Sequence, residues 1–388
     1  MLKERILNHD SGKLERMTKP PTAGSLHFFL SASLALFLAA CVSTTEDTGE
    51  QPHNSLDARF QEGVMPEALK HGGYIDSPFI NDAGDRIYFI HSIFSPSVLD
   101  PNQAVSPEQC SHVQAEQLPG HTTFEGLEWN TDIYYVQWDD EQWSEPVNLG
   151  ATVNSLAMEC CMWLNEDETE IIFATTSDLD NDGVDEDMGT RPTGNYIATR
   201  PHRDAPWSTP TPMPEKYGTD GQSNENYRHD IHKAPSGNLY LWEHYENEDN
   251  LLIFGERTGG TDAEPLYAEP VVIQGSKHSD TQLWVNDEET QLLYNHREGT
   301  ETALYLRSRE TSSSSWSASS TVKTTGFADP AGMNIWGEPS LDYSGAFILF
   351  ARFNTSDSTC WTPDLMVAPG DLTDGFSTPS VLNSSEQP

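Results

Sequence analysis

Basic residues are scarce. The chain carries 21 Lys and Arg against 61 Asp and Glu over 388 residues, a formal charge of −40. Such a surface repels phosphate backbones and anionic headgroups, which argues against nucleic acid and against direct membrane binding. It favours solubility first, with attraction of divalent cations or basic partners as the sharper reading. Signatures of common catalysts are missing as well. No Gly-x-Ser-x-Gly, no His-Glu-x-x-His and no phosphate-cradling glycine loop occurs. His229 and His232 stand three apart, which on a strand sends them to opposite faces. Asp230 shares a face with His232, but two ligands do not make a zinc site. Long runs of helix formers are few. Trp, Tyr, Phe, Gly and Pro are plentiful instead, a composition suited to short strands joined by turns.

The longest apolar run, Leu26 to Ala40, is too short for a comfortable membrane span. It sits where the apolar part of a signal peptide belongs, so residues 1–40 are expected to be an export signal, with a true start at Met17 as an option. Leu38-Ala39-Ala40-Cys41 follows at once and resembles a bacterial lipobox, which implies lipidation of Cys41. Residues 41–72, rich in Ser, Thr, Glu, Gln and Asp, read as a lipid anchor followed by a flexible tether. The expected location is the cell envelope, with the domain facing periplasm or exterior.

Repetition organises the remainder. A polar turn followed by an apolar strand begins at Asn81 and ends at Phe89. It returns at Asn165 to Phe173, Ala234 to Trp242, Asn286 to Tyr294 and Asp342 to Phe350. Each copy is followed by a second strand, at Asp132, Asn195, Asn250, Ala303 and Asp364. A closing signal reads Trp143-Ser-Glu-Pro, Trp207-Ser-Thr-Pro, Trp316-Ser-Ala-Ser and Phe376-Ser-Thr-Pro, and the third unit keeps only Ala268-Glu-Pro. Adding the strand before each turn gives four strands per unit, which predicts an all-β propeller of five four-stranded blades over residues 73–385.

The stretch from Asp132-Ile-Tyr through Trp143-Ser-Glu-Pro-Val-Asn-Leu-Gly to Ile171-Ile-Phe-Ala resembles the WD40-like repeats of the TolB type, called PD40. The resemblance implies an envelope propeller used for binding or scaffolding and does not imply catalysis. Blades two and four lack the Asp-Gly turn, and blade two has Cys-Cys-Met where the pattern has Pro.

Three groups of residues are candidates for a site. Acidic residues recur near the start of each inner strand: Asp76, Glu159, Asp230, Asp280 and Glu338. Capping of neighbouring amides is the favoured reading. Asp76, Glu159 and Glu338 are the residues an acid–base pair for glycan cleavage would draw on, by analogy with five-bladed sugar hydrolases. In the loop after the second strand of blade two, Asp178, Asp180 and Asp182 precede Gly183, the first half of a Ca²⁺ loop; the twelfth position is Gly189, so no complete EF-hand is present. Among the cysteines left after lipidation, Cys110 and Cys360 lie in loops of the first and last blades, where a disulfide would help close the ring. That pairing leaves Cys160 beside Cys161, while the rival pairing joins Cys110 to one of them. The expected function is a non-catalytic binding or scaffold module for an envelope protein or polysaccharide, with a glycan-cleaving enzyme as the alternative and Ca²⁺ as the one cofactor suggested.

Overall fold

The computed structural model describes residues 58–60, 69, 73–92, 117–121, 131–156, 158–176, 194–214, 217, 226–245, 250–262, 264–298, 301–327, 336–342, 345–354 and 362–382. These all fall within one compact unit, Glu50–Pro388. Cys41, Cys110, Asp178, Asp180, Asp182 and Cys360 lie outside the described residues.

Each sequence unit folds into an antiparallel sheet built from consecutive strands. Blade one is β1 Tyr74–Ile80, β2 Arg86–Ser92, β3 Asp132–Gln137 and β4 Val147–Asn148. Blade two is β5 Met158–Leu164, β6 Glu170–Thr176, β7 Gly194–Thr199 and β8 Thr211–Pro212. Blade three has β9 Asn226–Lys233, β10 Leu239–Tyr245 and β11 Leu251–Gly255, then a side hairpin of β12 Arg257–Gly260 and β13 Pro265–Tyr267 before its outer strand β14 Val271–Val272. Blade four is β15 Asp280–Val285, β16 Gln291–Glu298, β17 Glu301–Ser308 and β18 Ser320–Thr321. Blade five has β19 Trp336–Leu341, β20 Phe347–Asn354 and β21 Thr362–Asp371, against which β22 Gly375–Phe376 and β23 Ser380–Val381 both pair. The inner strands neighbour one another in a closed circuit, β1 to β5 to β9 to β15 to β19 and back to β1. The five-bladed propeller expected from the repeats is the fold.

The core follows from that circuit. Five apolar clusters fill the junctions between successive blades rather than the blades themselves. Tyr88 and Ile133 of blade one meet Ile171 and Phe173 of blade two. Ile172 meets Ile231 and Leu241, Tyr240 meets Leu283 and Leu292, and Leu293 meets Ile348 and Phe350. The fifth junction closes the ring without a shared strand. There Ile75 and Phe89 pack on Phe347 and Leu365, with Phe60 and Leu69 from the preceding segment between them.

The closing signal has a physical cause. The backbone N–H of Ser144, Ser208 and Ser317 donates to Gln137, Thr199 and Ser308 carbonyls, and each serine hydroxyl accepts the N–H of the same residue in return. This reciprocal pair ends the third strand and turns the chain outward. In blade five the partner is Pro369, which has no N–H to give, and the Ser377 hydroxyl donates to the Pro369 carbonyl instead. The turn asparagines are equally regular. Asn81, Asn165 and Asn286 accept the N–H groups of the residues four and five positions on.

Candidate functional site

Every inner strand carries a bulge at the same point, which breaks its register with the second strand. The bulged residue is Ser77, Cys161, Asp230, Gln282 or Glu338, each with a left-handed backbone, φ of 50°, 60°, 49°, 46° and 57°. None is glycine, so each holds a conformation that costs about 1–2 kcal/mol. A bulge re-aims its side chain. All five line the central channel, and the residues two positions on, Phe79, Trp163, His232, Trp284 and Ser340, form a second ring below them.

The five acidic candidates divide between two roles. Glu159, fully buried, accepts from the Ser155 N–H at 2.9 Å, the Ser155 hydroxyl and the Thr175 hydroxyl at 3.0 Å. Asp280 accepts from the Lys277 N–H at 2.7 Å and lies 2.7 Å from His296 Nδ1. Both cap local backbone. Asp230 and Glu338 line the channel, and Asp76 sits against Glu338 beside it. Asp76 is 4% exposed and contacts Glu338 carboxyl to carboxyl, while its Oδ2 takes the Tyr74 hydroxyl. Trp242 donates its indole N–H to Asp230 Oδ2. Gln282 donates to Glu338 Oε1 at 3.5 Å and accepts the Glu338 N–H at 3.2 Å. Gly337 is what lets that amide in, because a Cβ there would stand 2.3 Å from Gln282 Oε1.

Burial sets the electrostatics. It pushes Asp76 up. It raises Asp230 to about 6, with the Asp76 charge adding to it. It raises Glu338 well above the usual carboxylate range, reinforced by Asp76 and then Asp230. His232, lining the same cavity, is lowered to about 3 by burial and stays neutral. The cavity at this level measures about 60 Å³, space for a few waters and too little for a sugar ring. A wider concavity of about 680 Å³ opens beyond the second ring, among the turns that join first and second strands. Its rim is acidic, with Asp82, Glu166, Asp287 and Asp342, and Trp163 and Trp284 stand between it and the channel.

Cys161 joins the channel ring through a bond to its neighbour: the Cys160 and Cys161 sulfurs are 2.31 Å apart. Sequence reasoning grouped the acidic residues by type and missed the ring. The signal was available, since each bulged residue stands four positions before the first residue of its turn: Ser77 before Asn81, Cys161 before Asn165, Asp230 before Ala234, Gln282 before Asn286 and Glu338 before Asp342.

No protein-family model matches the chain, and no curated protein matches it. Among solved structures it is similar to TolB from Acinetobacter baumannii, at 10% identity and a TM-score of 0.39 over 80% of this chain and 56% of that one. It is similar to a GH62 hydrolase solved with xylotriose, at 12% identity and 0.39 over 80% and 94%. The catalytic domain of the Coprinopsis cinerea GH62 α-L-arabinofuranosidase gives 9% identity and 0.42 over 79% and 96%. The chain thus spans little more than half of TolB. Likenesses at this level are too weak to carry any chemistry over.

Proposed function

We propose that this chain is a non-catalytic binding module of the cell envelope, held by lipid on Cys41, whose partner is an envelope protein or polysaccharide. The observation that supports it most is the packing of the channel carboxylates. A glycoside hydrolase needs two carboxyl groups held about 5–10 Å apart with the scissile bond between them. Asp76 and Glu338 touch each other, the cavity that Glu338 lines measures about 60 Å³, and Glu159 is held by Ser155 and Thr175. The wider acidic concavity, at about 680 Å³, is within the size range of ligand sites and suits a basic or polyhydroxylated segment of a partner.

The test is a cleavage assay. The full chain with Cys41→Ser, which stays free of lipid, is incubated with bacterial and plant polysaccharides and new reducing ends are counted. The proposal expects none above the no-protein blank. Release that disappears in Glu338→Gln would overturn it in favour of the enzyme.

A further inference from the structure

The residues two positions past the bulges give the wide concavity an aromatic floor. Phe79, Trp163, His232 and Trp284 line it from four successive inner strands, with the Trp163 and His232 rings 5.9 Å apart. Trp163 is 8% exposed, and among the described residues nothing accepts its indole N–H, whereas Trp143 donates to the Arg59 carbonyl and Trp242 to Asp230. A nearly buried donor left open by the chain is a place for an acceptor carried by a ligand. Around the floor stand Asp82, Glu166 and Asp287, each one residue past the first position of its turn. The basic residues of the lining are already paired, Lys233 with Glu170 at 2.7 Å and Arg257 with Asp262 at 2.9 Å. His232 stays neutral and adds no positive charge.

We propose that the concavity takes a Lys- or Arg-bearing peptide segment of a protein partner, one cationic side chain seated on the Trp163 and Trp284 floor with Asp82, Glu166 and Asp287 around it. This rests on the reading of the chain as a binding module and narrows its partner to a protein with a basic segment.

The face of an indole ring attracts a cation, and the attraction grows where water is excluded. Carboxylates beside the ring add to it. Burial, and then the charges on neighbouring turns, raises Asp82 to about 6 and pushes Asp287 up as well, so a positive charge among these turns relieves a repulsion the folded chain already carries. A bare metal ion does not answer this geometry, because Asp82, Glu166 and Asp287 do not bring three ligand atoms within 4.8 Å of one another. A cation carried on a side chain reaches the aromatic floor while the carboxylates stay apart. The peptide bond beside that side chain also supplies a carbonyl, the acceptor that the Trp163 N–H lacks, which a simple amine does not. A neutral glycan could stack on the tryptophans but would leave the acidic turns uncompensated. The volume of about 680 Å³ suits one anchoring side chain with its flanking backbone.

The test titrates the full chain carrying Cys41→Ser with a capped penta-lysine peptide and, separately, a capped penta-arginine peptide, at neutral pH and physiological salt. Binding is read by calorimetry and by tryptophan fluorescence. We expect one peptide per chain, a change in fluorescence, and binding weakened about 10-fold in Trp284→Ala. Asp82→Asn and Asp287→Asn should each weaken it severalfold yet melt no lower than wild type at neutral pH, since each removes a repelling charge. This separates loss of a contact from loss of the fold. Glu145→Gln, exposed and outside the lining, should bind as wild type does, which separates the site from the general charge of the chain. The inference is overturned if neither peptide binds, if Trp284→Ala and Asp287→Asn bind as tightly as wild type, or if Glu145→Gln weakens binding as much as Asp287→Asn does. Binding of neutral xylo-oligosaccharides in place of both peptides would also overturn it while leaving the binding-module reading intact; release of reducing ends would remove that reading itself.

Discussion

Glu168 and Glu289 occupy turn positions that their sister blades give to Gly84, Gly237 and Gly345, and they adopt the same left-handed backbone, at φ 52° and 55°. The sequence shows this only as a lost Asp-Gly turn. The reason for the loss lies in contacts between residues far apart in the chain, which no local pattern carries. Glu168 is 2% exposed and reaches into blade one, where it accepts from the Tyr88 hydroxyl and Asn81 Nδ2 and pairs with Arg86 at 3.1 Å, while Arg203 of its own blade stands at 3.3 Å. Glu289 repeats the arrangement with Tyr240 at 2.5 Å, Asn238 at 3.0 Å and Arg309 at 3.6 Å. The two arginines that follow, Arg200 and Arg309, stack on Trp207 and Trp316 at 4.0 and 4.1 Å. So the tryptophan of the closing signal has a second task, and blade pairs one–two and three–four are clamped alike. Breaking a buried pair is costly, and here it leaves Arg86, itself 2% exposed, with the exposed carboxylate of Asp204 as its remaining ion-pair partner among the described residues. Glu168→Gln is expected to cost about 3 kcal/mol, read as a lower urea midpoint with unchanged slope. A midpoint within error of wild type would show that the clamp contributes nothing net.

At the scale of strands and turns, the repeats were legible because turn chemistry and strand alternation are local. The blade count, the strand order and the closing signal all follow from them. Register was not legible. A bulge shifts every later side chain to the opposite face, and five bulges on residues other than glycine leave no mark in propensity. Asp230 and Glu338 are the bulged residues themselves, whereas Glu159 and Asp280, which look equivalent in sequence, stand two positions before the bulge and cap backbone. The first turn makes a separate prediction. Asp82 is raised to about 6 by burial and by the charges of Asp287, Glu166, Asp342 and Glu168 on neighbouring turns. Its folded pKa lies above the unfolded value near 4, so the folded state binds more protons between these limits. Stability from this group is therefore greatest at low pH and declines as pH rises through about 4 to 6. Asp82→Asn should raise Tm at neutral pH and leave it unchanged below about pH 4. An equal shift at both would mean that lost repulsion is not the cause.

For the molecule as a whole, the five junction cores and the closed circuit of inner strands explain how a chain of charge −40 stays compact. Among the described residues Glu168 and Glu289 are paired at junctions, Glu159 and Asp280 cap local backbone, Asp82, Glu166, Asp287 and Asp342 are carried on turns, and Asp76, Asp230 and Glu338 meet at the inner strands. Ring closure rests on Phe60, stacked edge-on against Phe347 at 4.6 Å, and on Leu69 beside it. Residues that read as tether in the sequence therefore take part in the last junction. Charge could be read from composition, whereas the identity of a partner is written in surfaces that composition does not specify. The most direct measurement of the proposed function is a cross-linking pull-down of the full chain from intact envelopes, with Cys41→Ser as the control for the proposed lipid anchor. The account predicts one or two envelope components recovered in near-equal amount with the anchored protein and lost with the control. Recovery of nothing above the control would contradict it.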